Sequence, residues 1–305
     1  MSWFVFGSLF ALAACWGPTF LLIKIGVEEI SPVMLTMIRC FTGACFLLIY
    51  TLATRRSFKP TLPYFKEIAV MAVIGNVLPF TFCAWAETMV QSSTAGIIEG
   101  TTPLITALFT ILFVPHRKVP REQVEGLVLG FIGILVLFAP DILQIEASRD
   151  EWFFGKILLL GMAVCFAASF IYTKEKLENC PHIPAVCLQL FIATALLVVI
   201  SFWTESSYHV TPLGIKCAAL LGVFGTAIPW CFYFYLTRHA TATDLSLAIY
   251  LLPVVAMVLG VVVLEETIRW NLGIGILIIL FSLFFAGGFV SRIKFSRRQN
   301  PMLKG

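Results

Sequence analysis

Ten apolar stretches, each about as long as a bilayer is thick, constrain this chain more than any other feature. They fall near 3–23, 32–52, 66–86, 93–114 and 124–140, then 154–173, 184–203, 213–236, 243–264 and 270–290. Inside hydrocarbon every backbone N–H and C=O must find a partner within the protein, and runs of roughly 20 residues are too long for the short alternating strands of a barrel. The pattern predicts an all-α polytopic membrane protein with ten transmembrane helices. At roughly 20 residues per crossing these use about two thirds of the 305 positions, leaving short connections and no room for a separate soluble domain. Only 12% of the residues are charged and 59% are hydrophobic. Soluble chains carry about 25% and 45–50%, so one large water-soluble domain is excluded.

With both ends assigned to the cytoplasm, fifteen of the 21 Lys and Arg residues face inward, including Arg55, Arg56, Lys59, Arg117, Lys118, Arg121 and the cluster from Arg292 to Lys304. Lys24, Arg149, Lys156, Lys216 and Arg269 face outward, and Arg39 falls within the second helix. The positive-inside bias predicts that both termini are cytoplasmic. Acidic residues such as Glu28, Glu29, Glu87 and Asp141 then lie outside.

A shift of 150 positions superimposes Phe20 on Phe170, Lys24 on Lys174, Gly75 on Gly225, Pro79 on Pro229 and Pro103 on Pro253. One constant register across four helices points to duplication. Five crossings per copy is an odd number, so the second copy would enter from the opposite side. The expectation is two inverted five-helix repeats, 1–140 and 154–290, joined by an external linker at 141–153 and followed by a basic cytoplasmic tail at 291–305. Halves related in this way suit alternating access.

Pro79, Pro103, Pro229 and Pro253 are candidate hinges or helix breaks. A proline has no N–H for the carbonyl four residues earlier, which leaves the carbonyls of Gly75, Glu99, Gly225 and Ile249 as candidate free acceptors. Kinked packing is the competing reading, because Gly and Pro are common in membrane helices.

Two charges stand within apolar runs. Arg39 lies seven residues into helix 2 and Glu99 six into helix 4, roughly 9 to 11 Å deep at 1.5 Å per residue. A bare charge there is costly and requires a partner or water. An Arg39–Glu99 clamp between helices is one reading; contact with substrate, or proton coupling through Glu99, is the other. The planar guanidinium of Arg39 can hold a carboxylate or phosphate. Glu99 is matched by apolar Ile249 in the other half, so the acidic group is asymmetric and can attract a cationic or zwitterionic solute. Asn76, Thr101, Thr102, Thr226 and Tyr250 add directional hydrogen bonds, and Trp16 and Trp230 add broad walls. Packing roles compete at each of these positions.

Nine cysteines include no C-x-x-C pair, there is no H-E-x-x-H, and the four histidines sit at loops or membrane borders. Neither a metal nor a cofactor is expected, nucleic acid is not a partner, and no ordered catalytic set is present.

The chain resembles the drug/metabolite transporter superfamily, and within it the bacterial EamA-like permease family. The resemblance rests on Trp16-Gly17-Pro18-Thr19-Phe20 through Lys24, Pro32 through Arg39, Ser93-Thr94-Ala95-Gly96 leading to Pro103, and Gly126 to Leu137. Ala163 through Tyr172, Ser246 through Pro253, and Leu264-Glu265-Glu266-Thr267 before Gly273 extend it through the second half. It implies a secondary transporter of a small polar metabolite in the bacterial inner membrane, working by alternating access, with proton or counter-substrate coupling open. Relatives that handle amino acids or S-adenosylmethionine make an amino acid, or a cationic or zwitterionic derivative of one, the expected solute. The usual acidic residue after helix 4 is replaced here by His116. A membrane channel or solute-sensing receptor is the alternative.

Overall fold

A computed structural model describes residues 3–90, 92–114, 116, 119–137, 139, 149–204, 210–237, 252 and 270–286. In the first half helices α1 (Trp3–Trp16) and α2 (Thr19–Glu29) are followed by α3 (Pro32–Ala53). A 3-10 segment, Lys59–Tyr64, leads into α4 (Phe65–Ala72), α5 (Leu78–Met89), α6 (Ser92–Glu99), α7 (Thr102–Phe113) and α8 (Arg121–Leu137). The second half contains α9 (Arg149–Lys176), α10 (His182–Thr204), α11 (Pro212–Gly222), α12 (Ile228–Thr237) and α13 (Trp270–Ala286). α9 begins at Arg149, within the segment 141–153. Local chemistry sets several starts. Ser31 and Thr211 accept from the backbone N–H groups of Met34 and Gly214, and prolines occupy the following position, where a missing N–H costs nothing.

The expected ten crossings in two inverted five-helix repeats require correction. Among the described residues six helices are long and apolar enough to cross a bilayer: Phe10–Glu29, Pro32–Ala53, Lys59–Met89, Phe153–Lys176, His182–Thr204 and Pro212–Tyr233. An apolar run is not the same thing as an unbroken helix. The run at 93–114 breaks between Glu99 and Thr102 into α6, with 8 residues, and α7, with 12. α8 and α13 are described over 17 residues each. The run at 243–264 lies outside the described residues, apart from Leu252. Large apolar side chains such as Phe113, Phe202, Trp203 and Leu277 remain more than two thirds exposed, as expected of surface bathed in lipid.

The 150-residue offset reappears as local structure. Two π-helical turns, Val73–Val77 and Val223–Ala227, precede Pro79 and Pro229. Each proline leaves the carbonyl four residues back without its donor. The backbone takes up the slack with an i→i−5 bond, from Leu78 N–H to Val73 and from Ile228 N–H to Val223. Packing is reciprocal as well. α3 lies against α11 and the second π turn, while α10 lies against α4 and the first.

Close approach of α3 and α11 depends on two glycines. A Cβ on Gly43 would stand 2.7 Å from the Gly222 carbonyl oxygen, and one on Gly222 would collide with the Arg39 carbonyl and the Thr42 hydroxyl. Backbone blocks both, so a flexible side chain cannot move aside. Gly222→Leu is expected to cost about 1–3 kcal/mol by overpacking and to lower the melting temperature in detergent. Gly273, whose Cβ would meet nothing within 4 Å, supplies the control: Gly273→Ala should leave melting unchanged or slightly raised. An unchanged melting temperature for Gly222→Leu would mean that this contact does not hold the two helices together.

Candidate functional site

A cavity opens between the two halves, bounded by α1, α2, α3, α5, α6, α9 and α12 together with Leu252. Its six aromatic side chains are three pairs at the 150-residue offset: Trp16 with Phe166, Phe20 with Phe170, and Phe80 with Trp230. Rings in this wall meet edge to face at Phe80–Phe166, with centroids 6.2 Å apart, and stack at Phe166–Phe170, 6.4 Å apart. The cavity volume is about 40 Å³. That is room for a few waters or a small polar group.

Arg39 and Glu99, the two intramembrane charges, both line this cavity. Arg39 is 5% exposed and held from three directions. Its Nε donates to Thr226 Oγ1 at 2.7 Å, its Nη2 donates to the Gly225 carbonyl at 3.1 Å, and its Cζ lies 3.7 Å above the centroid of the Phe80 ring. Gly225 is the carbonyl that Pro229 leaves without its helical donor, so the break in the second half supplies an acceptor for a charge in the first. Thr226 is oriented by donating in turn to the Leu221 carbonyl at 2.9 Å. Two donors and a ring fix the guanidinium plane, and its Nη1 edge makes no hydrogen bond among the described residues.

Glu99 is 9% exposed at the end of α6, where the helix breaks ahead of Pro103. It is near enough to Arg39 to interact electrostatically, yet no ion pair within 4 Å joins them. Ion pairs among the described residues lie elsewhere, at Arg121–Glu125, Lys174–Glu178 and His116–Glu175. A guanidinium and a carboxyl group thus face one small aromatic chamber with no ion pair between them.

The other candidate residues divide. Trp16 and Trp230 line the cavity. Thr226 acts from behind, through Arg39. Thr101 donates to the Ile98 carbonyl at 2.6 Å, and the buried Thr102 hydroxyl has no partner among the described residues. Pro79 and Pro229 follow the π turns, and Pro103 starts α7. Asn76 sits off the cavity, accepting from Gln189 Nε2 at 2.5 Å. Tyr250 and Pro253 lie outside the described residues.

Phe166, Phe170 and Gln189 were not among the candidates, although the 150-residue offset was available to find them: they match Trp16, Phe20 and Arg39. The Gln189–Asn76 contact is the repeat counterpart of Arg39–Thr226. Glu87 is fully buried; its carbonyl accepts from Lys24 Nζ at 2.7 Å, and its Oε1 accepts from Cys83 Sγ at 3.7 Å. No grouping of three or more His, Cys, Asp or Glu suited to a metal occurs among the described residues.

Comparison with known proteins follows the same outline. The EamA-like transporter family model matches twice, over residues 3–139 and 153–288. The chain is 23% identical over 293 residues to the uncharacterized transporter YoaV of Bacillus subtilis (strain 168), covering 95% of this chain and 97% of that one. It is 27% identical over 282 residues to the uncharacterized inner membrane transporter YedA of Escherichia coli (strain K12), covering 90% and 88%. A solved crystal structure superposes with a TM-score of 0.78 at 18% identity, over 96% of this chain and 99% of that one, a likeness of fold.

Proposed function

Because the chain belongs to the EamA-like transporter family, a family of small-molecule secondary transporters, we propose that it carries an amino acid or a small cationic or zwitterionic derivative of one. In this reading it works in the bacterial inner membrane, the location in the name of the Escherichia coli relative, with both termini in the cytoplasm. The observation that supports the solute class is the pair of buried, opposite charges facing one cavity without an ion pair. The solute's carboxylate meets the Nη1 edge of Arg39, and its ammonium meets Glu99. The aromatic wall excludes water and strengthens both contacts. The small chamber favours a compact amino acid over one as extended as S-adenosylmethionine.

Transport follows if the two halves close on the solute from one side and reopen to the other, which requires the contacts to differ between the two states. Arg39 is suited to couple solute and conformation. It belongs to α3, yet it is anchored on the π turn of the other half through Thr226 and Gly225. A carboxylate competing for the guanidinium changes how firmly those elements are tied.

Counterflow in proteoliposomes tests this. Preloading with unlabelled lysine, glutamine or leucine is expected to drive saturable uptake of the labelled amino acid against its gradient. Repeating the assay with an imposed pH gradient determines whether a proton moves with it. Ohmic currents without counterflow would replace the transporter reading with a channel.

A further inference from the structure

Close to Trp230, off the cavity, lies a polar pair that solute contacts at Arg39 and Glu99 leave unused. Asn76 and Gln189 are both completely buried, and Gln189 Nε2 donates to Asn76 Oδ1 at 2.5 Å. Each carboxamide brings one NH2 and one carbonyl. Their single shared bond leaves Asn76 Nδ2 and Gln189 Oε1 without a hydrogen-bond partner among the described residues. Exchanging nitrogen and oxygen in both amides leaves the same inventory, one NH2 and one C=O. Burying such groups dry disfavours the folded state unless something else satisfies them.

Their position suggests what that is. Asn76 and Gln189 stand 150 residues from Thr226 and Arg39, so they occupy the site in the other half that matches the guanidinium anchor, with a neutral pair in place of a charged one. Trp230 lines the chamber and is a near neighbour of the pair: its Cη2 lies 3.5 Å from where a side chain on Gly75 would begin, and Gln189 Nε2 lies 3.6 Å and Met71 Cε 2.8 Å from the same point.

Building on the zwitterion reading above, we propose that Asn76 and Gln189 form a neutral subsite, reached when Trp230 moves aside, that takes a carboxamide group of the transported solute. A carboxamide presents a carbonyl for Asn76 Nδ2 and an N–H for Gln189 Oε1 on one planar group. A carboxylate in that place offers only acceptors and opposes Gln189 Oε1. An alkyl chain leaves both protein groups unpaired. The subsite therefore selects glutamine-type side chains over apolar or acidic ones of similar length, by the same asymmetry that lets a hydrogen-bonding site reject an analogue lacking the group.

The test measures binding of L-glutamine, L-norleucine and L-glutamate to the full-length protein in lipid nanodiscs, alongside the double substitution Asn76→Leu/Gln189→Met. That change removes all four polar groups together, so neither partner is stranded. Wild-type protein is expected to bind glutamine at least about tenfold more tightly than the other two. In the double variant the glutamine and norleucine affinities should converge to within about twofold. Equal wild-type affinities, or a glutamine preference that survives the double substitution, would overturn the subsite and leave the zwitterion reading standing. Failure of all three amino acids to bind wild-type protein would overturn both.

Discussion

Arg39→Lys is expected to weaken binding of a carboxylate-bearing solute by roughly 100-fold, about 3 kcal/mol at 1.4 kcal/mol per factor of ten. The substitution keeps the charge and removes the geometry. Lysine has no Nε to donate to Thr226 while a second nitrogen reaches Gly225, and its ammonium cannot lie flat 3.7 Å above Phe80 as the guanidinium does. A hydrogen bond to a charged group is worth about 1.5–3 kcal/mol, and a desolvated cation–π contact adds up to about 2. Part of this loss appears in folding, because Thr226 and the Gly225 carbonyl lose a donor. Competitive counterflow and thermal melting, measured on the same preparation, separate the two effects. A lower melting temperature with unchanged solute affinity would make Arg39 a fastener between α3 and the second π turn and remove it from the binding site.

Glu99→Gln should act on the other end of the solute. Glutamine preserves size and hydrogen bonding and deletes the negative charge, so the charge-assisted bond to an ammonium is no longer available. At about 2–3 kcal/mol this predicts a roughly 30- to 150-fold loss in uptake of cationic and zwitterionic amino acids. Solutes of the same size without an ammonium should change little, so selectivity moves as well as rate. If Glu99 also carries a coupled proton, the response of uptake to a pH gradient disappears in the same variant. A Glu99→Gln protein that kept its rate, its pH response and its substrate preference would remove Glu99 from both roles.

The two predictions differ in how far the sequence alone could have supported them. Arg39 and Glu99 were identifiable as candidates because charge at membrane depth is costly wherever the chain goes. Their relation was not. Both an interhelical clamp and a pair of solute ligands agree with the same depth along two helices, and the separation depends on how α3 and α6 pack around α5 and α9. The second half's contribution was partly legible: Pro229 marked Gly225 as a carbonyl without its helical donor. That Arg39, 186 positions earlier in the chain, takes up this carbonyl is a tertiary fact.

Apolar runs also carried less about crossings than their number implied. Transfer of a side chain into hydrocarbon is additive along the sequence, so the runs were easy to find. Helix continuity depends on each carbonyl finding its donor, and the break between Glu99 and Thr102 divides one run into two short helices. The six aromatic residues of the cavity show the opposite case, since a constant offset pairs Phe166, Phe170 and Trp230 with Trp16, Phe20 and Phe80 before any coordinate is known.

By itself, the sequence determined the solvent, the helical class, the duplication and the identity of the costly residues, because hydrophobic transfer, backbone satisfaction and proline's missing N–H act locally. Only the tertiary structure decided which groups meet. Arg39 lies on Thr226 and Phe80 rather than on Glu99, and Gln189 lies on Asn76, because helix packing sets distances between residues on different helices and no local propensity encodes them.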